Sequence, residues 1–158
     1  MVELEMYKEN HYSDLNYALN EEQSKFTYTI DYCINERNDL EDRNKTIVTI
    51  LEDKAPAGFF ILDFGNDKLE LKNNDSAILL RSLSVNPNTQ GKGIGKRSML
   101  QLRGFVAQYF SNVNEVLLSV HKNNISASKL YYSVGFVDTE FEVLSPAGEV
   151  LSVLSLSI

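Results

Sequence analysis

Three glycines at alternate positions, Gly91, Gly93 and Gly95, stand between a strand-like run, Ala77–Val85, and a segment whose apolar residues recur at helical spacing. A turn of this kind lets backbone N–H groups approach an anion closely, because glycine has no Cβ to obstruct. The helix that follows adds unpaired N–H donors and the positive end of its dipole. Lys92, Lys96 and Arg97 bring formal positive charge to the same place. The physical reading of Gln90–Arg97 is a cradle for a pyrophosphate.

Two common nucleotide loops are excluded by spacing. A Walker loop needs a glycine five places before the glycine of its Gly-Lys-Ser/Thr end; that place holds Gln90, and Arg97 follows Lys96. The dinucleotide fingerprint fails in both registers. Starting at Gly91 puts Lys96 where the third glycine belongs, and starting at Gly93 puts Ser98 there. What fits is Gln-x-x-Gly-x-Gly, as Gln90, Gly93 and Gly95, which resembles the coenzyme-A loop of the GNAT superfamily of N-acetyltransferases. A second segment, Asn124 to Phe136, matches at every specified position another signature of that superfamily, Asn-x-x-Ala-x-x-Leu-Tyr-x-x-x-Gly-Phe, through Asn124, Ala127, Leu130, Tyr131, Gly135 and Phe136. The two signatures lie in the order and at roughly the separation used in the family. The resemblance covers residues 76–136 well and the first 75 residues less closely.

Composition sets outer limits. At 158 residues, 43% apolar and 23% charged, the chain suits one globular domain, residues 1–158, that buries about 70% of its foldable surface. The charged N-terminus has no apolar core of a signal peptide, and no apolar run reaches the ~20 residues needed to span a bilayer. With one cysteine, Cys33, no internal disulfide is expected, which fits a cytoplasmic protein; Cys33 reads as a partly buried small side chain rather than a reactive thiol. A net charge of −7 argues against nucleic-acid binding. Residues 1–42 hold 11 acids against 3 bases, a net of −8, while residues 43–158 hold 11 against 12, a net of +1.

The pattern of elements predicts a strand at Val2–Tyr7, then a helix capped by Ser13 over residues 14–19 and a second capped by Asn20, with Gln23 at its third position. Phe26, Ile30 and Cys33/Ile34 continue at helical spacing, and Asn35–Asn44 is a loop. Thr46–Leu51 and Gly58–Phe64 make a hairpin. A helix carrying Met99, Leu102, Phe105/Val106 and Tyr109/Phe110 follows the glycine turn, and Gly104 within it, costing about 1 kcal/mol of helix propensity, calls for a packing reason. Glu115–Val120 is a strand, and the short helix after it ends at Gly135, where a left-handed C-cap is wanted. Phe141–Leu144 and Glu149–Ile158 close the chain as a hairpin.

The resemblance turns this order into an expected architecture. It implies a single α/β domain with a mixed, mostly antiparallel sheet of six or seven strands flanked by helices. The strands ending near Val85 and Val120 splay into a V that holds acetyl-CoA, and no metal is expected. It also implies residue roles. The main chain of Leu83, Ser84 and Val85 pairs with the pantetheine arm; Gln90 and the amides from Gly91 through Lys92, Gly93, Ile94 and Gly95 to Lys96 wrap the pyrophosphate; Asn124, with Ala127 and Tyr131 on the same helix, faces the cofactor. Tyr131, whose phenol is protonated near neutral pH (reference pKa about 10), is the expected proton donor to the departing thiolate. The strand before the loop, Leu80-Arg-Ser-Leu-Ser-Val, offers no carboxylate as general base. His121 or a chain of water molecules takes that part.

The expected reaction is direct acetyl transfer to a primary amine, with the acidic N-terminal quarter favouring a small cationic acceptor such as a polyamine. A protein N-terminus or lysine as acceptor, and a non-catalytic acyl-CoA-binding module, stay open as alternatives. So do a monomer and a homodimer formed through the apolar C-terminal strand.

Overall fold

Asp53 and Lys54 both adopt positive φ, 49° and 73°, the geometry of a two-residue hairpin turn whose twist matches that of the strands it joins. This turn is shorter than the six-residue connection expected from the sequence, and it places Pro56 inside a strand. The structure, a computed structural model describing all 158 residues, pairs β2 (Lys45–Glu52) with β3 (Ala55–Asp63) across this turn. The register slips at Ile50/Leu51, opposite Pro56, where a residue without an N–H is tolerated.

These two strands lie within a seven-stranded sheet with β1 (Val2–Met6), β4 (Ala77–Val85), β5 (Glu115–His121), β6 (Val137–Leu144) and β7 (Val150–Ser157), ordered β1-β2-β3-β4-β5-β7-β6. Only β4 and β5 run parallel; every other pair is antiparallel. Because successive side chains alternate between faces, β2 and β3 feed two cores. Val48, Phe60 and Leu62, with Ile78, Leu80, Val116 and Leu118, pack against α3 (Ile94–Met99), α4 (Leu102–Tyr109) and α5 (Ile125–Ser133). Ile47, Phe59 and Ile61 meet Leu15, Ile30 and Cys33 on the other face.

Several local expectations are corrected. The first helix, α1 (Tyr12–Leu15), continues a 3-10 turn over Glu9–His11, so Ser13 lies inside it and caps nothing. Asn20 does cap α2 (Glu21–Ser24) reciprocally with Gln23, but that helix stops after one turn. Cys33 lies on a separate π-type turn at Tyr32–Glu36, and Ile30 just ahead of it. The long helix after the glycine turn is broken into α3 and α4 at Leu100 and Gln101. Gly104 has no packing reason, since nothing lies within 4 Å of where its Cβ would be. The C-terminal strand β7 is internal, bonded to β5 and β6, and the edge strands are β1 and β6. Gly135 meets its expectation, with φ 108° and Phe136 N–H donating to Tyr131 C=O (3.1 Å), as in a Schellman cap.

One close approach fixes where β4 runs. A Cβ added at Gly58 on β3 would stand 2.4 Å from the Ser84 carbonyl oxygen and 3.1 Å from Val85 Cα, both backbone atoms. Gly58→Ala is therefore expected to destabilise the protein by about 1–3 kcal/mol, read as a lower urea midpoint. An unchanged midpoint would mean that β3 and β4 separate there freely.

Candidate active site

β4 and β5 are hydrogen-bonded only over Ala77–Leu79 and Glu115–Leu117. Beyond these residues the two strands diverge, each held from its outer side, β4 by β3 and β5 by β7. The closed end is tied by the buried Glu115, which accepts from Lys72 Nζ (2.7 Å), Asn74 Nδ2 (2.8 Å) and Ser155 Oγ. Burial pushes the Glu115 carboxyl up, but the hydrogen bonds from Lys72, Ser155 and Asn74 outweigh it and hold it below the usual range.

On the open side β4 carries a bulge. The β3–β4 register shifts between Phe59 and Ile61, and Ser82 sits at φ 58°, a conformation costing a non-glycine residue about 1–2 kcal/mol. Arg37 secures it. Its Nη2 donates to Ser82 Oγ (2.9 Å) while Nε donates to both oxygens of Asp39 (3.0 and 2.8 Å). Lys45 Nζ donates to the same carboxylate at 3.0 Å. Asp39 is fully buried. Burial pushes its carboxyl up, and the bonds from Arg37 and Lys45 bring it below the ordinary value.

The gap between the diverging strands opens into a cleft of about 1170 Å³. It is somewhat larger than the few hundred to about 1,000 Å³ usual for ligand sites. Both sequence signatures reach it. Leu83, Ser84 and Val85 line it from β4, Gln90, Gly91, Gly93, Ile94, Gly95 and Lys96 from the turn and α3, and Asn124, Ala127 and Tyr131 from α5. Lys92 is the exception. It lies between two residues at positive φ, Gly91 (86°) and Gly93 (72°), which turn its side chain to solvent, and its carbonyl accepts from Arg97 Nη2 (2.9 Å). Arg97 is spent on that bond and on Glu52. Lys96 is thus the one cation of the trio that lines the cleft.

The turn fits a phosphate. Nothing lies within 4 Å of a Cβ placed on Gly91 or Gly93, so the glycines answer the backbone conformation and leave open space over the amides. Asn124 Oδ1 caps α5 by accepting from Ala127 N–H (3.2 Å), which leaves its amide nitrogen for the cleft. Tyr131 is buried and packs edge-on to Phe136, ring centroids 5.4 Å apart. Burial pushes its phenol up. Its phenol therefore stays protonated at neutral pH.

The opposite wall comes from residues that the sequence pattern assigned to helices and not to the site. Tyr17 and Gln23 cross to β4: the Tyr17 hydroxyl is 2.7 Å from Ser84 Oγ, and Gln23 Nε2 donates to the Val85 carbonyl at 2.7 Å. Phe26 reaches β5, its ring 5.3 Å from that of His121. Residues 17–26 thus bridge the two splayed strands. Thr27 Oγ1 is buried at this wall with no hydrogen-bond partner, an unpaired group that a bound ligand can satisfy. Of the 11 acids in residues 1–42, Glu22 alone lines the cleft; Asp67 and Glu70 join it from the loop before β4. No group of three or more His, Cys, Asp or Glu side chains is placed to hold a metal.

A profile of the Acetyltransferase (GNAT) family matches residues 7–136. The uncharacterized N-acetyltransferase YbbJ of Bacillus subtilis strain 168 is 36% identical over 152 residues, 95% of this chain and 94% of that protein. The chain belongs to the GNAT acetyltransferase family. Solved structures agree in fold. An aminoglycoside acetyltransferase AAC(6')-Ib in complex with coenzyme A and kanamycin superposes with a TM-score of 0.77 at 16% identity, covering 99% of this chain and 95% of that one. The spermidine N-acetyltransferase of Vibrio cholerae with CoA and spermine gives 0.70 at 15% identity, covering 99% and 95%. As a GNAT acetyltransferase the protein draws its acetyl group from acetyl-CoA. No helix is long and apolar enough to cross a membrane.

The bulge anchor has a pH signature. Asp39 and Glu115 titrate lower in the folded protein than the ~4 of an unfolded chain. Their stabilisation is therefore complete above about pH 4–5 and is lost as pH falls through the lowered folded values. Urea midpoints are expected to hold from pH 7 to 5 and to drop below pH 4. Asp39→Asn should flatten that drop while lowering the pH 7 midpoint, and an unaltered acid limb in Asp39→Asn would count against the anchor.

Proposed function

We propose that residues 1–158 act as one N-acetyltransferase domain that passes the acetyl group of acetyl-CoA directly to a primary amine of a small cationic molecule, with a polyamine as the leading acceptor class. The observation that carries the reading is the cleft between β4 and β5, in which the glycine turn, Asn124 and the buried Tyr131 line one space. Unpaired amides of Gly91 to Lys96, with the Lys96 ammonium, would hold the pyrophosphate, and the β4 main chain at Leu83 and Ser84 would carry the pantetheine arm. The Val85 carbonyl is already taken by Gln23, so the pairing would stop short of it. When bound, acetyl-CoA supplies the activated acyl carbon. Tyr131 supplies a proton to the sulfur as the C–S bond breaks, and its burial keeps that proton in place until then.

The acceptor reading rests on the acceptor wall rather than on the net charge of the N-terminal quarter. Glu22, Asp67 and Glu70 put carboxylates around the opening, and Phe26 and Tyr28 add aromatic surface, a combination suited to an ammonium group. Two of the structural neighbours are named for polycationic acceptors, an aminoglycoside and spermidine.

Acetyl-CoA at 100 times its Kd should stabilise the protein by about 2.7 kcal/mol, raising Tm where NAD and ATP do not. In a panel of spermidine, amino acids and a basic peptide, spermidine should give the highest kcat/KM and the steepest loss with added salt. A peptide that outruns spermidine would move the acceptor class to proteins. Tyr131→Phe should lower kcat by about 100-fold with the acetyl-CoA thermal shift intact; unchanged kcat would remove Tyr131 from the chemistry.

A further inference from the structure

An amine acceptor arrives as an ammonium and must lose a proton before it can attack. The cleft offers few groups for this. Tyr131 is held protonated by burial. Of the lining carboxylates, Asp67 is bound by Arg81 (3.1 Å), and Glu22 and Glu70 belong to the opening, on α2 and the loop before β4. The chain has two histidines. His11 is buried beneath β2 with Nδ1 2.8 Å from Thr49 Oγ1, and it is not part of the cleft. His121 is, at the end of β5 where the V is open.

Its surroundings orient the ring. The turn between β6 and β7 brings Glu149 Oε2 to 2.7 Å from His121 Nδ1. That nitrogen is sealed from solvent and the contact lies off the hydrogen-bond line, so it is a close approach rather than a directed bond. Phe26 packs on the ring from the other wall at 5.3 Å. The neighbouring charges are paired with each other, Lys122 with Glu142. With Nδ1 turned in against a carboxylate and Phe26 against the ring, Nε2 is the nitrogen left to the cleft, and a carboxylate beside Nδ1 favours the tautomer with its proton there.

We propose that His121 Nε2 is the base that deprotonates the acceptor amine, and that Glu149 is its positioning residue. The inference rests on the amine acetylation proposed above. Nε2 takes one proton from the ammonium, which frees the nitrogen lone pair. The C–N bond forms and the C–S bond breaks. The nitrogen releases a second proton to solvent and keeps the third. Sulfur takes the Tyr131 proton, Tyr131 regains one from solvent, and the imidazolium returns its own, so that one proton is released for each ammonium acetylated. Phe26 belongs to the same arrangement: because it touches His121 from the acceptor wall, the bridging segment aligns the base as well as enclosing the amine.

The test combines kinetics with nitrogen NMR. In the wild-type protein at a pH where the ring is neutral, the ¹⁵N shifts of His121 should report the Nδ1–H tautomer, with Nε2 unprotonated; an Nε2–H tautomer would overturn the proposal without any variant. His121→Gln should lower kcat for spermidine by about 100-fold while the thermal shift with acetyl-CoA and the KM for acetyl-CoA stay near wild type. Glu149→Gln should lower kcat by a smaller factor, about 10-fold, and move the His121 nitrogen shifts toward the other tautomer. Glu142→Gln, on the same hairpin, should change neither. Wild-type kcat in His121→Gln sinks the base assignment, and unmoved His121 shifts in Glu149→Gln sink the positioning role. If the wild-type protein acetylates no amine in the panel, the functional reading falls and this inference falls with it.

Discussion

The structure depends on two neighbouring parallel strands that stop bonding to each other. β4 and β5 share three residue pairs and then separate, which in an ordinary sheet would leave rows of N–H and C=O groups unpaired. The separation persists because each strand is secured from behind, and because both ends of the V have their own ties. Glu115 collects three hydrogen bonds at the closed end, and Ser82 is held at positive φ on the open side by Arg37. Removing a partner from such a buried charge network costs several kcal/mol, since the remaining charge loses its compensation. The cleft is therefore preformed, and its polar lining is available to a ligand.

The same separation explains why the N-terminal segment behaves as part of the site although the signatures lie elsewhere. A cleft open on both faces would expose a bound thioester to water. Residues 17–26 cross it, bonded to β4 through Tyr17 and Gln23 and packed on β5 through Phe26. The glycine turn, α5 and the N-terminal segment thus line one space about 1170 Å³ in volume. The acidic character of the first 42 residues contributes little there: Asp39 is neutralised beneath the wall by Arg37 and Lys45, and the carboxylates at the opening are Glu22, Asp67 and Glu70.

Much of the fold was legible in the chain. Ala77–Val85 and Glu115–Val120 were legible almost residue for residue because mainly apolar runs bounded by turn residues leave little choice, and the Gly135 cap followed from a conformation that other residues adopt at a cost. The glycine turn, Asn124 and Tyr131 line one cleft, and the two signatures that carry them were legible because their spacing is local. The Lys92 side chain points to solvent, a direction set by the left-handed glycines on either side of it. Helix lengths failed where packing overrode periodicity. The stripe from Met99 to Phe110 is real, yet the helix beneath it is broken at Leu100 and Gln101, and Phe26 and Ile30 share a spacing without sharing a helix.

By itself the sequence determined the order of elements, the glycine turn and the tyrosine that shares its cleft, since each depends on backbone preferences and spacings within a dozen or so residues. Only the tertiary structure decided what faces that turn. Arg37 reaching Ser82 across 45 positions, Gln23 reaching Val85 across 62, and Glu149 against His121 are contacts between distant parts of the chain. They are set by how the two faces of one sheet are covered, and no local pattern of residues encodes such a pairing.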